Sequence, residues 1–333
     1  MNKFLIIRFS SIGDILLTTP IVRSLKKNYP TSKLFYLTKK KFSDLLIFNP
    51  YIDKIFCYEN NFFDILEQIT NERINVVIDL HKNIRSRLFR FFLLETKSYV
   101  YLKKNFKKWL LVKFKKDFLR NEHIVDRYFR SLKKLNIFPD EKGIEFYIDK
   151  QTEEKVYKLY PELKNEKYVC ISVGGKHYTK QIPAEKIIDI INLLQLPYVL
   201  VGDSNDKDKA IEILKNVKFK YGYNFCGEFN LLETGVIVKN SQVVITPDSA
   251  IMHISSAFNK KIVSVWGSTV PQFGMYPYLK GNNNFVICEV KLNCRPCTRI
   301  GKNKCPKKHF YCMNKQDVEF IVKVTKNFYY AES

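Results

Sequence analysis

Tyr168-Val169-Cys170-Ile171-Ser172-Val173-Gly174-Gly175 decides the fold. A largely apolar, β-branched run with no polar alternation marks a strand covered on both faces, the kind found in parallel sheets. The two glycines then allow a sharp exit into a polar loop. Pro183 opens a helix that runs to Leu194, proline being well tolerated in a first helical turn. This unit restates the chain's beginning. Phe4-Leu5-Ile6-Ile7 reads as a buried strand, Gly13 as its turn, and Asp14 to Asn28 as a helix. Between these two starts, strands are expected at Leu34–Leu37, Ile52–Cys57 and Asn75–Leu80, the last followed by a helix from Ile84 to Leu94. Beyond Gly175 the alternation continues: strand Tyr198–Val201, helix Lys207–Lys215, a short strand ending at Cys226, helix Leu231–Lys239, strand Val243–Thr246, helix Ser249–Phe258 and strand Ile262–Val265. The expected fold is α/β, with two Rossmann-like parallel-sheet domains facing each other across a cleft. The polar segment Asp149 to Lys167, which contains Pro161, is the expected linker. The expected domains are therefore residues 1–160 and 161–333, with a C-terminal helix packing back on the first.

The chain of 333 residues carries 56 Lys and Arg against 33 Asp and Glu, a formal net charge of +23. At 46% hydrophobic it is too apolar for a disordered basic tail. Arg8 interrupts the first apolar run after four residues, which is too short for a signal-peptide core, and no uncharged run approaches a membrane span. A cytoplasmic protein is expected. The excess charge is local: residues 81–134 hold 17 basic and 4 acidic side chains, and residues 289–315 hold 8 and 1.

Candidate chemistry lies at the ends of expected strands, where parallel sheets bind ligands. Ser10-Ser11-Ile12-Gly13-Asp14 follows the first strand. Asp14 could take a proton from an attacking hydroxyl or merely cap its helix. Asp248-Ser249-Ala250-Ile251-Met252-His253 follows a later strand and opens a helix. The unpaired amides of Ser249, Ala250 and Ile251 would favour a phosphate there, and His253 shares a helix face with Ser249. Lys180, in the loop after Gly175, could neutralise a leaving diphosphate. Each residue singly has a plainer reading, as a solvated lysine or a structural histidine.

Taken in order, five motifs carry a family resemblance: Ser10 to Asp14 with Pro20, Asp79-Leu80-His81-Lys82-Asn83-Ile84-Arg85-Ser86, Lys180 with Pro183, Asp248 to His253, and Gly267-Ser268-Thr269-Val270-Pro271. Together they resemble the ADP-heptose:lipopolysaccharide heptosyltransferases of glycosyltransferase family nine, over nearly the whole chain. The resemblance implies a GT-B fold and inverting, metal-independent transfer of heptose from ADP-heptose to the lipopolysaccharide inner core. It implies Asp14 as general base and Lys180 on the diphosphate. Asp248, Ser249, Ala250, Ile251 and His253 would surround the donor, with Asp206 on the ribose and Phe229 near adenine. Ser10, Ser11, Asn83, Arg85 and Ser86 would meet the acceptor. Two positions depart from the usual pattern: Ala250-Ile251 replaces Gly-Pro, and Ile182 replaces a Trp.

Cys294, Cys297, Cys305 and Cys312 cluster within 19 residues and could hold a structural zinc or remain free thiols. A similar set occurs in part of the family. From Lys103 to Arg120, lysines interleave with Phe106, Trp109, Phe114 and Phe118. One reading is a solvated helix face; the other is a surface for an anionic membrane, fitting peripheral attachment at the inner face of the cytoplasmic membrane beside a lipid-linked anionic glycan. Arg85, Arg87 and Arg90 could meet acidic sugars. No nucleic-acid motif accompanies the basic charge, so no nucleic acid is expected as partner, and the chain is expected to act as a monomer. The alternatives are a related enzyme using another nucleotide sugar, a degenerate homologue, or a basic nucleic-acid binder.

Overall fold

The computed structural model describes residues 2–119, 121–279, 281 and 284–331. Arg120, the end of the basic stretch, lies outside the described residues. The chain forms two compact units, residues 1–104 with 122–147, and residues 105–121 with 148–333.

In the first unit, strands β1 (Lys3–Ile7), β2 (Lys33–Lys39), β3 (Lys54–Tyr58), β4 (Val76–Asp79) and β5 (Lys97–Val100) form one sheet in the order β3-β2-β1-β4-β5. Every pairing is parallel, with Leu5 opposite Phe35 on one side and Val77 on the other. Leu5, Ile7, Phe35 and Val77 are buried together with Phe56 and Phe89, as continuous apolar strands require. The helix expected from Asp14 to Asn28 is two, Ile12–Leu16 and Thr19–Asn28. Pro20 is the reason: it lies in the first turn of the second helix, where its missing N–H costs nothing. Arg23 on that helix is buried and pairs with Asp140 at 2.6 Å and Glu145 at 2.8 Å, tying residues 140–145 back to the first unit.

The second sheet contains β6 (Val169–Ser172), β7 (Tyr198–Val201), β8 (Gly222–Asn224), β9 (Val243–Pro247), β10 (Lys261–Trp266) and β11 (Phe285–Glu289), in the order β11-β10-β9-β6-β7-β8, again all parallel. Numbered from β6, this is the 3-2-1-4-5-6 order of a dinucleotide-binding sheet, so the two Rossmann-like domains are as expected. β5 and β11 are edge strands that the sequence pattern did not announce.

The expected boundary at 160 falls inside the second unit. The helix Lys150–Leu159 belongs there, with Lys155 on Glu233, Glu153 on Lys239 and Tyr157 on Asn240. The basic helix Asn105–Phe114 belongs there too, because Leu111 and the following Leu119 are buried against Val270 and Phe273. Lys115 then donates to the Pro296 carbonyl at 2.7 Å. The C-terminal helix Val318–Tyr330 buries Ile321, Val322 and Tyr329 in the second unit's core alongside Ile187 and Leu194. No helix among the described residues is long and apolar enough to cross a membrane.

Candidate active site

In the first sheet the strand order reverses between β1 and β4, so the loops leaving their carboxyl ends lie side by side at the switch point. The loop after β1 carries Asp14. Its Oδ1 meets Arg8 Nη2 at 2.5 Å, and its Oδ2 accepts from the Ser11 hydroxyl at 2.8 Å and the Ser11 amide at 3.2 Å. Asp14 therefore sits within a capping arrangement and keeps part of its surface open. Arg8 is buried, with Nε on the Ser10 carbonyl at 2.8 Å and Nη1 on that of Leu80 at 2.5 Å. Burial alone would lower its proton affinity, but the Asp14 carboxylate together with the nearby Tyr128 and Tyr36 hydroxyls outweighs that and the net shift is upward. Ser10 thus contributes its carbonyl to the arginine and Ser11 its hydroxyl to the aspartate.

The loop after β4 is organised by Asp79, which is 0% exposed. Its Oδ1 accepts from the amides of His81 and Lys82 at 2.9 and 2.7 Å; its Oδ2 accepts the Ser86 hydroxyl at 2.8 Å and pairs with Arg90 at 3.1 Å. Asn83 caps the helix Ile84–Phe92, accepting from the Ser86 amide at 2.9 Å, while Ser86 Oγ accepts from the Asn83 amide at 3.0 Å. Ser86 is consequently buried inside the turn it stabilises. Arg85 projects exposed from the first turn. His81 stacks edge-on to Phe9, and burial, followed by the nearby Arg8 and Lys103 charges, drives its imidazole down to about 3, leaving it neutral near pH 7.

The second sheet reverses between β6 and β9, and the same logic applies. Lys180 lies in the loop after β6, Asp248 in the loop after β9, and their side chains meet at 2.7 Å (Nζ to Oδ2). Thr269, after β10, donates to the same Asp248 oxygen at 2.8 Å. Ser249 caps the helix Ala250–Ala257, with its hydroxyl 3.0 Å from Thr246 Oγ1; Ala250 is partly exposed, while Ile251 and His253 are buried. Asp206 lies in the short helical turn after β7. It is buried against the backbones of Gly174 and Gly202, where any added Cβ would collide with its carboxylate, and it accepts the Asp203 amide at 2.9 Å. Burial raises its proton affinity. Its evident work is to close the 203–206 turn. Phe229 packs into an aromatic group with Phe225 and Tyr160.

Four residues have supporting roles that the sequence alone does not assign. Arg8 was read only as a break in an apolar run, although a lone charge at the buried end of a strand is itself a signal. Thr179 and Ser268 lock the Lys180 loop to the Asp248 side: Ser268 Oγ donates to Thr179 Oγ1 at 2.9 Å, and the Ser268 amide to the Thr179 carbonyl at 3.1 Å. Arg295 is the fourth. It is buried, and donates to the carbonyls of Gly267 at 2.6 Å, Thr269 at 3.0 Å and Val290 at 2.5 Å, with Glu289 at 2.9 Å. It holds from behind the loop whose Thr269 holds Asp248, making it a positioning residue. The cysteine reading concealed it.

The cysteine segment as a whole buttresses the site. Lys302 exchanges backbone bonds with Thr179, its carbonyl accepting the Thr179 amide at 3.0 Å and its amide donating to Thr179 Oγ1 at 2.8 Å. Gly301, at φ +108°, leaves no room for a side chain beside His177. The zinc expectation finds no support: among the described residues no three His, Cys, Asp or Glu side chains are arranged to hold a metal ion. Cys312 is buried in the core beside Met313, and burial pushes its thiol up to about 11.

Residues 62–308 match the profile of glycosyltransferase family 9 (heptosyltransferase). Lipopolysaccharide heptosyltransferase 1 of Campylobacter coli is 24% identical, covering 98% of this chain and 99% of its own length. Lipopolysaccharide heptosyltransferase 3 of Escherichia coli K12 is 26% identical, over 77% of this chain and 80% of its own. Among solved structures, a family 9 glycosyl transferase from Veillonella parvula superposes with a TM-score of 0.80 at 17% identity, covering 98% of this chain and 97% of that one. The E. coli ADP-heptose lps heptosyltransferase II superposes with a TM-score of 0.71 at 15% identity, with coverages of 97% and 99%. These neighbours share the fold, GT-B. With the matched profile spanning most of its length, the chain belongs to glycosyltransferase family 9 and is a glycosyltransferase.

Proposed function

We propose that this enzyme transfers a heptose from ADP-heptose to the inner core of lipopolysaccharide, with inversion and without a metal. The observation that carries the reading is the Lys180–Asp248 pair at the β6/β9 switch point, beside the amino end of the Ala250–Ala257 helix. A diphosphate entering there would compete with Asp248 for the Lys180 ammonium, which Asp248, itself held by Thr269, keeps in position beforehand. The amides of Ser249, Ala250 and Ile251 offer donors to the same phosphates. Charge building on the leaving group would thus meet a fixed cation and fixed dipoles, which need not reorganise during the reaction. Once freed from Lys180, Asp248 can accept from sugar hydroxyls.

On the acceptor side, Asp14 is the general base. Arg8 fixes one carboxylate oxygen, while the other oxygen faces Ser11, whose weaker bond an incoming hydroxyl can replace. Asn83 and Arg85 border this loop, and Arg85 is free to meet an acidic sugar. Work on a lipid-linked acceptor would bring the enzyme to the inner face of the cytoplasmic membrane. Exposed Phe106, Trp109, Phe114 and Phe118 with their neighbouring lysines support such contact.

Calorimetric titration with ADP, then transfer from ADP-heptose to core acceptors, tests the proposal. Submillimolar ADP binding that Lys180→Met abolishes is expected. Asp14→Asn should lower kcat by about 10²–10⁴ while leaving donor affinity intact. Failure to bind any nucleoside diphosphate would sink the reading, and a preference for UDP would replace the donor.

A further inference from the structure

The helix Ile84–Phe92 has apolar groups on both of its sides. Its inner face buries Ser86 and Phe89. Its outer face carries Ile84, Leu88 and Phe91, spaced i, i+4, i+7, within an arc of about 60° at 100° per residue. All three are exposed, Ile84 by 77%. The surface extends sideways: Phe92 touches Phe91 at 5.4 Å between ring centroids and Phe62 at 5.7 Å, and Phe62 touches the exposed Phe63 at 5.4 Å. Leu94, also exposed, ends the run. Five large exposed apolar side chains, Ile84, Leu88, Phe91, Phe92 and Phe63, on one continuous face exceed the scattered singles of an ordinary surface. Arg85 and Arg87 stand exposed on opposite flanks of the Ile84–Leu88–Phe91 stripe. An apolar centre with guanidinium groups on both edges complements a bilayer interface, where acyl chains lie beneath anionic phosphates.

We propose that this face of the first unit inserts into the interfacial layer of an anionic phospholipid bilayer. It is separate from the Trp109 surface, which belongs to the other unit. It also has a geometric consequence for chemistry: Asn83, which caps this helix, is part of the Asp79 loop beside the Asp14 loop. Docking the stripe therefore holds the acceptor-side loops at the membrane. The proposal does not depend on the identity of the donor sugar.

The test is co-sedimentation of the full chain with phosphatidylcholine vesicles containing or lacking phosphatidylglycerol. The double variant Leu88→Glu/Phe91→Glu should lower partitioning onto the anionic vesicles at least tenfold, with an unchanged circular-dichroism melt and unchanged ADP binding. Arg85→Glu/Arg87→Glu should remove the dependence on phosphatidylglycerol. Should the charge variants fold poorly, Phe91→Trp in a Trp109→Phe background serves instead: its emission should shift to the blue with vesicles and be quenched by brominated acyl chains. Unaltered partitioning of the folded Leu88→Glu/Phe91→Glu variant would overturn the proposal. So would loss of partitioning only in Trp109→Glu/Phe114→Glu, or a self-association, seen by light scattering, that the Leu88/Phe91 variant abolishes while vesicle binding persists.

Discussion

Replacing Arg295 by alanine is the most exacting check on the site's architecture. The guanidinium makes three bonds to buried or partly buried carbonyls and one ion pair with Glu289, within a side chain that is 5% exposed. Bonds from a charged donor contribute about 1.5–3 kcal/mol each, but they share one group and are not additive. Removing one member of a buried charged network costs about 3–5 kcal/mol. For the roughly 200-residue second unit, that translates into a fall in its melting midpoint of about 6–20 °C. Because Thr269 and Gly267 lose their anchor, Asp248 loses a fixed donor and Lys180 its fixed partner, so ADP binding should weaken about tenfold or more. Arg295→Lys should recover part of the stability, since an ammonium can reach one or two of the carbonyls, yet recover less of the ADP affinity. Differential scanning calorimetry with calorimetric ADP titration reads both quantities. A midpoint within 2 °C of the parent, or a large thermal loss with unaltered ADP affinity, would refute the idea that Arg295 acts through Thr269.

Other outcomes follow from the same geometry. Asp79→Asn should destabilise the first unit by roughly 2–4 kcal/mol, since Arg90 loses its buried partner, and urea unfolding would detect it. His81 has its folded-state value depressed from 6.5 to about 3, so the unfolded chain binds the extra proton first as pH falls. Stability is then lost between pH 6.5 and 3, with a contribution of at most about 1.4 kcal/mol per pH unit. His81→Gln should flatten that part of the curve, and an identical slope in parent and variant would rule the histidine out. Chelators should leave the melting midpoint unchanged, and elemental analysis should find no stoichiometric zinc; a chelator-induced drop would restore the metal reading of the cysteines.

Much of the architecture was legible because parallel strands buried on both faces must be continuous apolar runs. Val76 to Asp79 and Val169 to Ser172 are such runs, and both occupy the central region of their sheets. The edge strands were not: Lys97-Ser98-Tyr99-Val100 pairs on one side only and has no need to look apolar. The strand-end placement of Asp14, Lys180 and Asp248 was legible in the sequence, and the structure joins the side chains of the last two directly. The inward orientation of Asp206 was not, because an acidic residue after a strand can face either way, and only the close approach of its carboxylate to Gly174 and Gly202 shows which. Nor could an amphipathic pattern tell which core would receive the Asn105–Phe114 helix. Leu111 and Leu119 specify burial, and Val270 and Phe273, more than 150 residues later, supply it.

That long-range debt bears on how the gene can be rearranged. The polypeptide passes between the two units three times, after residues 104, 121 and 147. Separating the coding sequence at residue 147 would yield a front fragment with Leu111 and Leu119 bare and a rear fragment with Val270 and Phe273 uncovered. Simple recombination at a single junction therefore cannot exchange one domain for that of a relative without also swapping or rebuilding residues 105–121. Chimaeras that graft a foreign first unit should express as soluble protein only when this short excursion travels with the second unit.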